Sequence, residues 1–75
     1  MEQTAKYYID TAALLSEIYA SKHTVKSFCT EIGMERAKFS KKSKGIVPFK
    51  PDEMERIGRV LHLSDSRIVQ IFLRA

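Results

Sequence analysis

The 75-residue sequence carries a formal net charge of +4, with 44% hydrophobic and 29% charged residues, so it is long enough for one globular domain and is not typical of a disordered chain. Its longest apolar run covers only residues 12–15, and its opening residues lack the apolar core of a secretory signal, so we expect neither a membrane-spanning nor a secreted protein. The single cysteine, Cys29, can form no internal disulfide, and we therefore expect one domain, residues 1–75, in a reducing cytoplasm.

Apolar residues recur at helical spacing, and this pattern predicts five short helices, near residues 11–21, 24–32, 35–43, 52–62 and 65–73. Asp10 is suited to cap the first helix and Thr24 the second. Gly33 is expected to end the second helix, and Pro51 to open the fourth. Ser64 can cap the fifth helix. Because no segment alternates at period two, the predicted fold class is all-α.

Residues 24–45 combine a capped helix, a glycine and a second helix in the order of a helix-turn-helix motif, formed by helices 2 and 3. Gly33 can take the positive φ that a sharp turn needs, and Phe39, six residues later, can anchor the second helix against the first. Phe28 and Ile32 are expected to fill the angle between the two helices. The second helix then leaves a row of polar side chains for the groove of a nucleic acid.

Positive charge is concentrated in one contiguous segment. Residues 22–50 carry eight basic and two acidic residues, a net charge of +6, whereas the rest of the chain carries five basic and seven acidic residues, a net charge of −2. This concentration favours a polyanionic partner, and a cationic face that contacts only solvent is the alternative. The basic residues of the segment are Lys22, Lys26, Arg36, Lys38, Lys41, Lys42, Lys44 and Lys50.

The chain resembles the lambda-repressor-like helix-turn-helix family (Cro/CI-type, Xre-like), and specifically the short Cro-like regulators of temperate phages. Beyond the motif at 24–45, residues 8–14 are similar to the family's start of helix one, residues 49–57 to its fourth helix, and residues 60–63 with 71–73 to its C-terminal pattern. The resemblance implies a sequence-specific double-stranded DNA-binding transcription regulator of phage or prophage origin, a Cro-like repressor on an operator in the bacterial cytoplasm. A homodimer is a candidate assembly, because two recognition helices can then read two half-sites.

In this docking mode the N-terminal part of the third helix meets base edges, while flanking lysines and helix ends contact phosphates. Arg36 is the first candidate for base contact, because its planar guanidinium matches O6 and N7 of guanine. Glu35 can accept a hydrogen bond from a cytosine amine, and Ser40 and Lys41 lie about one turn beyond Arg36. The predicted phosphate contacts are Lys22, Thr24, Lys26, Lys38, Lys42 and Lys44.

Three departures from the family pattern favour an alternative function. Val25 stands where the family often has a glutamine that contacts DNA. Lys42 and Ser43 stand where an apolar residue usually packs the end of the recognition helix. Glu35 repels phosphate unless it accepts from a cytosine. The alternative is an antirepressor-like interaction protein that keeps the fold but binds another helix-turn-helix regulator, such as a partner phage repressor.

We expect no enzyme activity, metal site or cofactor, because no catalytic constellation is present. Cys29, His23 and His62 are the usual metal-ligating residue types in the chain, but they are one short of a tetrahedral set and lack motif spacing. Cys29 is expected to be a small packed thiol rather than a nucleophile.

Helix five has more apolar residues than a narrow stripe on a small core needs, with five among the six positions 68–73. Phe72 is the largest of them, and we expect it either to complete the core of the monomer or to anchor a second chain. The sequence leaves both interpretations open.

Overall fold

The computed structural model describes residues 6–73, which form five helices and no strand, an all-α fold as predicted. The helices are α1 (Thr11–Ala20), α2 (Val25–Ile32), α3 (Arg36–Ser43), α4 (Pro51–Leu61) and α5 (Asp65–Ile68), and α5 continues as one π-helical turn over Val69–Leu73. The predicted bounds of the first four helices agree with these to within one residue, whereas the predicted fifth helix, 65–73, is α-helical only to Ile68 and continues as the π-helical turn. The two ends of the predicted domain, residues 1–5 and 74–75, lie outside the described residues.

Polar side chains fix where the helices begin, as the sequence predicts. The Asp10 carboxylate accepts a hydrogen bond from the third amide of α1 at 3.0 Å. Thr24 and Ser27 cap α2 reciprocally, each hydroxyl accepting from the other residue's amide at 3.0–3.1 Å. Pro51 is the first residue of α4, and Ser64 caps α5 at 3.2 Å. Such caps stabilise a helix by about 1 kcal/mol each, which matters in helices this short.

Each of the first four helices is followed within two residues by a residue with a positive φ. At the end of α2, Gly33 has a φ of 68°; its amide donates to the Thr30 carbonyl at 3.2 Å, and the Met34 amide donates to the Cys29 carbonyl at 2.9 Å. These two bonds satisfy the last carbonyls of α2 and reverse the chain within a few residues. The residues in this geometry are Lys22, Gly33, Gly45 and His62.

Four phenylalanines form the centre of the core and connect the elements in series. Phe28 of α2 packs edge-to-face on Phe39 of α3, with ring centroids 5.8 Å apart. Phe39 packs in the same way on Phe49 of the α3–α4 loop at 6.2 Å, and Phe49 packs on Phe72 at 5.1 Å. These are the separations at which aromatic pairs attract beyond their area burial. Aliphatic residues enclose the series: Leu14, Ile18, Ile32, Ile57, Leu61 and Ile71.

The structure assigns the C-terminal helix to the core of the monomer. Phe72 is only 6% exposed and Ile71 is fully buried, which answers the question that the sequence left open. The Asp10 amide donates to the Ile71 carbonyl at 2.8 Å, so the chain before α1 is bonded to this turn. Val69 and Leu73 lie on the other side of the turn and are about half exposed.

Candidate nucleic-acid interface

Helices α2 and α3 form a braced pair joined by residues 33–35. Phe28 and Phe39 pack in the angle between them, as the spacing predicts. Arg56 of α4 braces the pair from outside the turn, because its guanidinium donates to the Ile32 carbonyl at 2.7 Å. A cation at the carbonyl end of a helix also complements the helix dipole. The brace was not predicted, since it links residues far apart in sequence.

One face of α3 is buried and the other is open to solvent. Phe39, Lys42 and Ser43 are buried, so their positions define the inner face. The side chains opposite this face are Ala37, Lys41 and Lys44, which are exposed and spaced at i, i+4 and i+7, one turn apart along the helix. The outer face of α3 is therefore a short row of side chains available to a groove.

The predicted base-contact residues all lie on or beside this outer face. Arg36 and Lys41 are exposed, and Ser40 is half-buried on the side that faces α2 and α1. Glu35 is exposed and occupies the position just before α3, where its side chain makes no capping hydrogen bond. Ala37 was missed because alanine carries no polar signal, although its spacing from Lys41 marks the centre of the face.

Five of the six predicted phosphate contacts are exposed. Lys22 lies in the α1–α2 turn and Lys26 in the first turn of α2, next to the capping hydroxyl of Thr24. Lys44 follows the last residue of α3. Lys38 is about half exposed and leans toward α4, where its ammonium lies 3.9 Å from a carboxylate oxygen of Glu53.

The prediction that Lys42 contacts phosphate is wrong. Lys42 is only 2% exposed, and its ammonium donates to the carboxylate of Glu53 inside the domain. The physical reason is that Lys42 lies three residues after Phe39, on the buried face of α3. The aliphatic stem therefore fills the place of an apolar residue, and α4 supplies the opposite charge for the head.

Glu53 is held in its ionised form by the groups around it. Its Oε1 also accepts a hydrogen bond from the Lys50 amide at 2.8 Å. Burial alone would raise the pKa of Glu53, but the hydrogen bonds from Lys42 and from the Lys50 amide, together with the charges of Lys42 and Lys38, outweigh burial and leave the pKa below its ordinary value. The result is a buried ion pair that joins α3 to the start of α4.

The exposed cations of the domain fall into two groups that differ in pairing. Three arginines outside residues 22–50 are paired: Arg56 with Asp52 at 3.9 Å, Arg59 with Glu55 at 2.8 Å and Arg67 with Glu17 at 2.7 Å. Within residues 6–73, seven exposed cations form no ion pair, and five of them lie in or beside α2 and α3, namely Lys22, Lys26, Arg36, Lys41 and Lys44; the other two are Lys6 and Lys50. Unneutralised positive charge is therefore concentrated around α2 and α3.

Cys29 packs under the turn between α2 and α3. It is 2% exposed, and burial raises the pKa of its thiol by more than the nearby charge of Arg36 lowers it. The thiol therefore stays protonated near neutral pH, and a protonated, enclosed thiol is a poor nucleophile. In the part of the chain that the structure describes, no three His, Cys, Asp or Glu side chains come together in a way that could hold a metal ion.

Comparison with protein-family models and with curated proteins gives no match for this sequence. Among residues 6–73, no helix has the length and apolar character needed to cross a membrane. The geometry of α2 and α3 and the unpaired cations around them are consequently the observations from which a function can be argued.

Proposed function

We propose that this chain is a sequence-specific double-stranded DNA-binding transcriptional regulator that places α3 in the major groove. The pairing pattern of the cations carries the proposal: of seven exposed cations that lack an acidic partner among residues 6–73, five lie in or beside α2 and α3, whereas Arg56, Arg59 and Arg67 are paired. When surface cations neutralise phosphates, the counterions condensed on the DNA are released, and this release drives binding to nucleic acid. The resemblance to Cro-like phage regulators supports the same function, with action on an operator in the bacterial cytoplasm.

The positions of the side chains suggest a division of roles. Arg36 at the first position of α3, with Ser40 and Lys41 one turn on, is suited to read base edges. Lys22 and Lys26 at one end and Lys44 at the other lie beyond these readers and are suited to the two flanking phosphate backbones. Glu35 is compatible with this arrangement where it accepts from a cytosine amine.

Binding to a random-sequence duplex tests the electrostatic part of the proposal. Fluorescence anisotropy over a range of salt concentrations should give a log–log slope of about −2.7, since the three phosphate contacts of Lys22, Lys26 and Lys44 contribute about −0.9 each. The Lys44→Ala variant should reduce the steepness of the slope by about 0.9. Arg59→Ala is the matched control, because Arg59 is 73% exposed but paired with Glu55 on α4.

Two results would contradict the proposal. One is absence of binding at 50 mM salt, and the other is an equal change of slope in the Lys44 and Arg59 variants. Sequence specificity is tested separately by selection from a random duplex library, in which the protein should enrich a defined site. A pool that stays random after several rounds would reject the sequence-specific regulator.

The second candidate is an antirepressor-like protein that binds another helix-turn-helix regulator. Two features beside α3 favour it. Glu35 is exposed and carries a negative charge that repels phosphate, and the first residue of α2 is the half-buried, apolar Val25, where a polar residue could contact DNA. An antirepressor of this kind should leave duplex DNA unshifted when tested alone, and should change the mobility of a repressor–DNA complex when added to it. A shift produced by this chain alone on its selected site would exclude the second candidate.

A further inference from the structure

An apolar cleft of about 370 Å³ opens beside the N-terminal half of α3. Its walls come from three helices: Leu15 of α1, Val25 of α2, and Arg36, Ala37 and Ser40 of α3. Leu15 and Val25 are half-buried and pack against the core, so the floor of the cleft is rigid and apolar. We call the part of this cleft that Val25 and Ala37 line the apolar notch, and Ser40 borders it on α3.

The apolar notch lies inside a surface that is otherwise cationic. Arg36 borders it, Lys41 lies one turn beyond Ala37, and Lys26 follows Val25 along α2. An apolar recess offers nothing to a phosphate and cannot exchange hydrogen bonds with a polar base edge. Among the groups that base pairs present in the major groove, the C5-methyl of thymine is the apolar one, and alanine side chains are suited to contact it.

We propose that the apolar notch receives the C5-methyl group of thymine, so that Val25 and Ala37 determine specificity at one base pair. The inference rests on the proposed function, since it requires α3 to lie in the major groove. Arg36 and Ala37 are consecutive on α3, so a guanine contacted by Arg36 and the thymine in the notch should lie within two base pairs of each other. The absence of a polar residue at Val25 then has a positive role, which is to complete an apolar wall.

The test uses the DNA site that the protein enriches from a random duplex library. The DNA of this library is unmodified, so every C5-methyl group in it belongs to a thymine. Each thymine of that site is replaced in turn by deoxyuridine, which removes the methyl and keeps every hydrogen-bonding group. At one thymine near the essential guanine, the substitution should weaken binding about fourfold, as expected for burial of one methyl. The other thymines should tolerate the substitution with little change.

Variants of the notch separate this role from a general loss of binding. Ala37→Ser places a hydroxyl in the notch and should reduce the preference for thymine over deoxyuridine from about fourfold to nearly none. Ala12→Ser is the matched control, because Ala12 is also exposed and also second in its helix, α1, but does not line the cleft. It should keep the full preference, and circular dichroism should show the parent's helical signal in both variants.

The outcomes distinguish the inference from the proposed function. A selected site whose thymines all tolerate deoxyuridine, or an Ala37→Ser variant that keeps the full methyl preference, would overturn the thymine notch and leave the DNA-binding function intact. Failure to select any site would overturn both. One methyl-sensitive thymine whose sensitivity disappears in Ala37→Ser and persists in Ala12→Ser supports the inference.

Discussion

Removing one member of the Lys42–Glu53 pair should be among the most destabilising single changes in this domain. Lys42 and Glu53 side chains are 2% and 8% exposed, so neither charge is solvated well by water. Replacing Glu53 with Gln keeps the shape and an oxygen that can accept from the Lys50 amide, but leaves the Lys42 ammonium buried without a counter-charge. Breaking one side of a buried pair typically costs about 3–5 kcal/mol.

That loss is large against the total stability of so small a chain. At about 0.05–0.15 kcal/mol per residue, the whole domain has a free energy of unfolding of about 4–11 kcal/mol. Lys42→Met, which retains the length of the buried stem, should cost less than Glu53→Gln, because the orphaned carboxylate keeps the Lys50 amide at 2.8 Å and the Lys38 ammonium at 3.9 Å. The double variant contains neither buried charge and should lie within about 1 kcal/mol of the parent.

Urea denaturation of the four proteins at 15 °C, followed by circular dichroism, gives the coupling energy directly. We expect each single variant to be destabilised and the double variant to recover most of the loss, so that the effects are strongly non-additive. If each single variant loses less than about 0.5 kcal/mol of unfolding free energy and the two losses add in the double variant, the pair behaves like a solvent-exposed one. That result would refute a buried, desolvated pair.

Four further predictions concern pH, the turns and the core. The folded-state pKa of Glu53 lies below its ordinary value of 4.5, so its charge contributes fully to stability above pH 4.5, and the contribution is lost as pH falls through the lowered pKa. The free energy of unfolding of Glu53→Gln should therefore fall less steeply with decreasing pH than that of the parent. Gly33→Val should lower the melting temperature more than Gly33→Asn, because asparagine tolerates the left-handed φ of 68°, and equal melting temperatures would mean that φ does not limit this turn. His62→Gly should stabilise the domain by about 0.5–1 kcal/mol in urea denaturation, since His62 holds a φ of 55°, and a loss of stability would show that the imidazole contributes more than the strain costs. Phe72→Glu should unfold the domain at every protein concentration in sedimentation and circular dichroism, because the ring is 6% exposed and packs on Phe49, and a folded monomer would contradict the core assignment.

Much of the fold could be predicted because its signals are local. Asp10, Thr24 and Ser64 cap helices through bonds that span three residues, and Gly33 ends α2 through bonds within the same turn. Such interactions are encoded in short stretches of sequence, and short stretches are what a single sequence displays. The π-helical turn at the C-terminus had no comparable signal, since its apolar residues suit an α-helix equally well.

The candidate interface was less predictable because it depends on contacts between distant residues. In the sequence, Lys42 is indistinguishable from the surface lysines around it. Its role follows from the fold, because α4 places Glu53, eleven residues further along the chain, beside it. Ala37 carries no charge and was passed over, although the burial of Phe39 and Ser43 puts it at the centre of the exposed face. In both cases the side chain's role follows from which face of α3 is buried, and α3 has too few apolar residues to define that face from sequence.

Base reading by α3 is tested most directly by the effect of Arg36→Ala on binding to two duplexes: the selected site and the same bases in scrambled order. Removing a guanidinium that contacts guanine should weaken binding to the selected site by about 1–3 kcal/mol while changing binding to the scrambled duplex much less. Anisotropy titrations at a single salt concentration measure both free energies. Equal losses on the two duplexes would place Arg36 on the phosphate backbone and contradict base reading by α3.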